Sequence, residues 1–159
     1  MVLLEDKIKN FGVSGTTLLS DSSRPYVAQK AWKDSLAFKP DAVLLMLGTN
    51  DTKVGDKLSG AALEADLKKL IASYRAVVTH PRVFLLLPTP VFAKRWGINE
   101  KVLVDVVLPA IRRVGRATDC AVIDLHTPMQ GSSSLFPDSV HPNATGAAKI
   151  AATLHARIF

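Results

Sequence analysis

Two runs in this chain are apolar at every position rather than at every second one: Ala42-Val43-Leu44-Leu45-Met46-Leu47 and Val83-Phe84-Leu85-Leu86-Leu87. A strand with one wet face alternates, whereas a strand covered on both faces does not. Both runs therefore predict strands of a parallel sheet, and Ala121-Val122-Ile123 predicts a short third. Between the runs the apolar period becomes helical. From about Ala61 to Val78, the residues Leu63, Leu67, Leu70, Ile71, Tyr74 and Val78 share one face. A helix is predicted from about Glu100 to Ala117, kinked by Pro109. Its end carries Arg112, Arg113 and Arg116, where cations suit the helix dipole. A last helix starts after Asn143, a residue able to cap it, with Ala147, Ile150, Ala151, Leu154 and Ile158 on its apolar face. Upstream, Tyr26–Phe38 reads as a modest helix with Trp32 and Leu36 on one face, closed by Pro40. Lys7–Phe11 alternates as a short strand does, and Met1–Asp6 reads as the tail of a helix. Strand and helix thus alternate through a single domain spanning 1–159, which is an α/β fold with a parallel sheet and helices on both sides.

Composition narrows the function classes. At 159 residues, 48% apolar and 21% charged, the chain is globular. The net charge of +6 comes from scattered Lys and Arg with no aromatic–basic stripe, so no nucleic-acid partner is expected. A single cysteine, Cys120, excludes an internal disulfide and sits in an apolar run as a small hydrophobe. No apolar run reaches the roughly 18 residues of a membrane span, and no signal peptide is visible, which leaves the compartment open. No His/Cys/Asp cluster has metal-ligand spacing, so neither metal nor cofactor is expected.

In open α/β sheets ligands bind outside the carboxyl ends of the strands. Gly12–Thr16, Gly48–Asp51, Pro88–Asn99 and Phe136–Asn143 fall there, and each carries groups suited to acyl transfer. The Gly15 N–H is approachable because no side chain shields it, and the Asn50 amide can donate to a developing oxyanion. His141 is the natural general base, held extended by Pro142, with Asp138 just upstream to orient its ring. Trp96 suits either a sugar-stacking platform or a lid anchor, and Asp51 would cap or brace the Asn50 loop. Asp124-Leu125-His126 also ends a strand, but neighbouring strand-end side chains point opposite ways. Ser14 is a fallback nucleophile beside Gly15; Ser139 lies too close to His141 to be well aimed.

Asn10-Phe11-Gly12-Val13-Ser14-Gly15, Gly48-Thr49-Asn50-Asp51 and Asp138-Ser139-Val140-His141-Pro142-Asn143 occur in an order that carries a resemblance. The chain resembles the SGNH hydrolase superfamily, also called GDSL-type lipases and acylhydrolases. Within it, the chain is most similar to carbohydrate esterases of the acetylxylan-esterase or sialate O-acetylesterase kind. The likeness runs nearly the whole length and includes Trp96-Gly97-Ile98-Asn99-Glu100. It implies a flavodoxin-like three-layer α/β/α sandwich, an ester substrate on a small molecule or carbohydrate, and serine-type acyl-enzyme chemistry. It also implies that Gly15 and Asn50 form the oxyanion hole, that Asp138 and His141 are the acid and base, and that relatives are often secreted or periplasmic. The sequence departs from the family in one block: it holds no Gly-Asp-Ser, which in the family ends the first strand and carries the nucleophile. By that analogy the first strand and most of the first helix are missing from an N-terminally truncated domain. Three outcomes accommodate this: neighbouring strands close up, a second copy fills the gap as a homodimer, or the chain is an inactive fragment. The functional expectation is an ester hydrolase. The alternative is a catalytically inactive binding or assembly protein.

Overall fold

The computed structural model describes residues 8–158. Three parallel strands form one sheet: β1 (Ala42–Leu45), β2 (Arg82–Leu87) and β3 (Ala121–Asp124), in that spatial order. Helix α1 (Lys30–Ala37) precedes the sheet, and α2 (Gly60–Arg75) connects β1 to β2. The β2–β3 connection is one bent helical rod. It begins as α3 (Glu100–Val102), passes a π turn at Leu103–Val107, and continues as α4 (Leu108–Thr118). Helix α5 (Ala144–Ile158) closes the chain. The predicted distortion at Pro109 is therefore real but lies one turn earlier. Pro109 occupies the first turn of α4, and the Leu108 N–H donates to the Leu103 carbonyl, five residues back.

Helices α2 and α4 pack side by side on one sheet face. Their apolar stripes, including Leu63, Leu67, Ile71, Ile111 and Val114, close the larger core over Val43, Leu45, Val83 and Leu85. The opposite face is covered by α5, whose Ile150, Leu154 and Ile158 meet Phe84, Leu86, Ile123 and Leu125. That makes a three-layer α/β/α arrangement. Helix α1 joins the α2 side, where Ser35 Oγ and Tyr74 Oη share a buried hydrogen bond of 2.7 Å.

Two expectations need correction. Residues 8–11, the described part of the expected Lys7–Phe11 strand, form no strand. Instead the Gly12 N–H donates to Asn10 Oδ1 at 2.8 Å, a local turn that competes with strand pairing. Lys7 and the helix tail expected over Met1–Asp6 lie outside the described residues. The second correction concerns β1. The central β2 is buried from Val83 to Leu87, as its unbroken apolar run requires, whereas β1 alternates. Leu44 is 42% and Met46 47% exposed, because α5 covers β2 and β3 without reaching β1.

Gly115 lies where α4 meets β3. A Cβ built there would stand 2.3 Å from Val122 Cγ2 and 3.2 Å from the Cys120 carbonyl oxygen. Val122 is β-branched and stiff, so the strain cannot escape by a rotamer change. Gly115→Ala is expected to lower unfolding free energy by about 1–3 kcal/mol, measurable by urea denaturation. A stability equal to that of the native chain would show that helix and sheet can separate freely here.

Candidate active site

The site grows from the loops that leave the carboxyl ends of the strands. After β1 the chain turns at Gly48, whose φ of 112° suits glycine, and where a Cβ would strike Val107 at 2.5 Å. Asn50 and Asp51 follow and grip the 15–19 segment with consecutive side chains. Asn50 Nδ2 donates to the Thr16 carbonyl at 3.0 Å, which fixes the amide plane and leaves its second N–H available. Asp51, only 2% exposed, accepts the Leu18 and Leu19 N–H groups at 2.9 and 2.8 Å. Burial raises its carboxyl pKa against the lowering effect of those two bonds. The expectation that Asp51 braces the Asn50 loop matches this geometry.

Gly15 stands next to the residue that Asn50 holds. Its φ is 79°, and Arg24 Nη1, at 3.6 Å, is the nearest atom to a hypothetical Cβ, so conformation rather than crowding calls for glycine. Among the described residues its N–H donates to no protein group. Ser14 sits exposed at the corner of the same turn.

Asp138 and His141 face each other across a tight turn. His141 Nδ1 donates to Asp138 Oδ2 at 2.8 Å. An ionised carboxylate only accepts, so the ring proton lies on Nδ1 and Nε2 is free to take another. Asp138 Oδ1 accepts the Val140 and His141 N–H groups at 2.9 and 2.6 Å. The turn closes because Ser139 adopts φ 69°, an uncommon backbone for serine, which makes Ser139 a hinge of the turn rather than a nucleophile. Asn143 Oδ1 accepts the Gly146 N–H at 2.9 Å, capping α5 as its residue type predicts.

Hydrogen bonds from the His141 backbone, its ring and the Val140 N–H, in that order, hold the Asp138 carboxyl well below the usual range. Since the bonded form is the ionised one, its ordering effect is complete above pH about 4 and fades as pH falls through the lower folded-state value. Protonation of the Asp138 carboxyl, read from its side-chain carboxyl signal by NMR, should therefore occur only below pH about 4. A carboxyl that protonates at pH 5 to 6 would contradict this.

Trp96 completes the cluster. Its indole lies 5.7 Å from the His141 ring, with the Arg95 guanidinium 4.9 Å from the indole centroid on the same loop. The ring is 55% exposed, so it is no lid anchor buried over the core. The Trp96 loop also reaches the Asn50 loop, since the Asn99 N–H donates to Thr52 Oγ1 at 3.1 Å and Gly97 lies over Lys53. The Phe92 N–H donates to the Ser139 carbonyl at 2.9 Å. The loops are thus linked in series: Asn50 to Thr16, Asn99 to Thr52, and Phe92 and Trp96 to the Asp138–His141 turn. No serine hydroxyl among the described residues hydrogen-bonds to His141.

A model of the GDSL-like lipase/acylhydrolase family matches residues 3–149. The chain belongs to that family. A family relative from Xylanibacter ruminicola, an acetylxylan esterase, is 36% identical over 169 aligned positions, covering 95% of this chain. The chain spans about a third of that relative, 35% of its length. Among solved structures, an acetyl xylan esterase superposes with a TM-score of 0.73 at 20% identity, over 93% of this chain and 79% of its own. A lipase/acylhydrolase from Enterococcus faecalis gives 0.73 at 22% identity, over 91% and 71%. These likenesses establish the three-layer fold of the family for this chain.

Two residues near the site had no sequence signal for their partnership. His126, 4% exposed, places Nε2 2.8 Å from Glu100 Oε1, and Glu100 Oε2 accepts the Val91 N–H at 2.7 Å. Asp124 does not pair with the His126 ring. It accepts the His126 and Thr127 N–H groups and binds Arg112 at 2.9 Å, so the Asp124-Leu125-His126 segment is no second acid–base pair.

Proposed function

We propose that this family member is an ester hydrolase that removes acetyl groups from carbohydrate, xylan-derived chains being the preferred class. The observation that carries the reading is the Asp138–His141 pair beside an exposed indole, with Gly15 and Asn50 on the adjoining loops. The similarity to an acetylxylan esterase supports the acyl group and the sugar class.

In this reading a serine hydroxyl attacks the acetyl carbonyl carbon while His141 Nε2 takes its proton. The carbonyl oxygen, now anionic, is met by the Gly15 N–H and the free N–H of Asn50. Collapse breaks the bond to the sugar oxygen, which leaves as an alcohol with the proton returned by His141. Water then enters by the same path in reverse and releases acetate. Asp138 keeps the ring in the tautomer that exposes Nε2 throughout. Trp96 offers a flat apolar face to the pyranose ring.

A second reading has its own observation: the sequence holds no Gly-Asp-Ser, and no described serine bonds to His141. In that reading the pocket binds acetylated sugar without cleaving it. Acetate release from acetylated xylo-oligosaccharide and from p-nitrophenyl acetate separates the two. Release from both supports the hydrolase; binding without release supports the alternative. Trp96→Ala is expected to weaken kcat/KM for the oligosaccharide about tenfold more than for p-nitrophenyl acetate, since stacking of this kind contributes about 1–1.5 kcal/mol. Equal losses on both substrates would remove the sugar-platform role.

A further inference from the structure

The loops after β1, β2 and β3 are tied together at the start of α3. Asn99 reaches the loop after β1, through its N–H on Thr52 Oγ1. Glu100 reaches the other two: Oε2 accepts the Val91 N–H in the loop after β2, and Oε1 accepts from His126 Nε2 in the loop after β3. The acid–base chemistry uses neither Glu100 nor His126.

The bond to Val91 has a consequence one residue further on. The next N–H, that of Phe92, donates to the carbonyl of Ser139 between the acid and the base. The Phe92 ring packs on Phe136 at the start of the same turn, with centroids 5.1 Å apart. Successive peptide units of Val91–Phe92 are thus held from different sides, one by Glu100 and one against the Asp138–His141 turn. Ser139 sits at φ 69°, a backbone state that persists only where the surroundings over-determine it. Its own N–H bonds to the Phe136 carbonyl at 2.8 Å, and the Phe92 bond supplies the second restraint.

We propose that Glu100, locked by His126, is a positioning residue for the acid–base turn. It fixes the Val91–Phe92 backbone on which the Ser139 carbonyl rests, and so sets the aim of the His141 ring. The proposal rests on the reading of His141 as the acid–base group. A charged carboxylate suits the task, because a charge-assisted bond to a backbone N–H is shorter and stronger than a neutral one. The buried imidazole fixes which way the carboxylate turns.

The test pairs a spectroscopic signal with turnover. A protonated imidazole beside an indole quenches its emission, so a pH titration of Trp96 emission reports the His141–Trp96 contact without any catalysis. His141→Ala gives the background to subtract. Glu100→Ala is expected to lose at least half of the pH-dependent amplitude and to lower kcat for p-nitrophenyl acetate by about 10²-fold, as misplacement of a catalytic group by an ångström does. Glu100→Gln, whose amide oxygen can still accept the Val91 N–H, is expected to keep most of both. Full amplitude and full kcat in Glu100→Ala, or a Gln variant no better than Ala, would overturn the proposal. If Glu100→Ala fails to fold by circular dichroism, hydrogen exchange on the native chain decides. The Val91, Phe92 and Ser139 amides should then exchange at one slow common rate. Exchange of Val91 as fast as its exposed neighbours Ala93 and Lys94 would overturn the proposal as well. A native chain with the emission behaviour but no ester turnover would instead refute the hydrolase reading and leave the positioning role standing.

Discussion

His141→Ala is expected to lower turnover of p-nitrophenyl acetate by about 10²–10⁴-fold, the range a positioned general acid–base supplies. KM should change little, because the imidazole acts on protons that move in the transition state rather than on the bound ester. The geometry makes the expectation specific to this ring. Its Nδ1 is committed to Asp138 at 2.8 Å, which leaves one nitrogen, Nε2, for the chemistry. The ring is also outside the core, with its side chain 62% exposed, so truncation opens no cavity and the fold should survive. The Trp96 ring loses a neighbour at 5.7 Å, and that change should appear in its emission. Unchanged activity in a folded His141→Ala protein would dismiss the site.

Asn50→Ala is expected to cost about 10²–10³-fold in kcat, the usual loss when one oxyanion donor is removed. Two contributions combine. The Asn50 amide has a second N–H that points away from its bond to the Thr16 carbonyl and can meet developing negative charge. The bond to Thr16 also keeps the neighbouring Gly15 N–H in register, so the alanine variant loosens the second donor as it deletes the first. Asp51 limits the damage to the fold, since its bonds to Leu18 and Leu19 remain. Asn50→Asp offers a useful contrast. It keeps the size, loses the donor and places negative charge where the proposed mechanism puts the oxyanion, so it should be the slower of the two. An Asn50→Asp protein as active as the native chain would rule out the oxyanion role.

The Asp138–His141 contact could be read early because its elements are local. Asp138 and His141 are three residues apart, Pro142 restricts the backbone, and a carboxylate that bonds nearby N–H groups forms its own turn. Asn50 and Gly15 were readable for a related reason, as each ends an apolar or alternating segment where the chain must turn. The strand expected over Lys7–Phe11 failed on the same kind of evidence. Asn10 satisfies the Gly12 N–H locally, and five residues of alternation carry too little burial to outweigh it. Helix α2 stops at Arg75 rather than Val78 because the Val77 and His80 N–H groups are taken up in successive turns, with His80 in the left-handed region. Val78 is left 71% exposed.

The Glu100–His126 bond had no such signature. Its members are 26 residues apart and meet only because β3 lies beside β2, so that the loops leaving both strands pass over the same end of the sheet. The alternation of β1 belongs to the same class. Its residues are as apolar as those of β2, and only the reach of α5 decides that Leu44 and Met46 face outward.

What the sequence by itself determined, then, is the set of parts: three strands, the helices between them, and Gly15, Asn50, Asp138 and His141, each at a turn. Hydrophobic period and short-range hydrogen bonding determine such features, and both act within a few residues. What only the tertiary structure decided is how the parts are aimed: which strand is central, which carboxylate holds His126, and which carbonyl the Phe92 N–H restrains. Those choices depend on contacts between segments far apart in the chain, whose distances are set by helix packing and sheet order rather than by any local pattern.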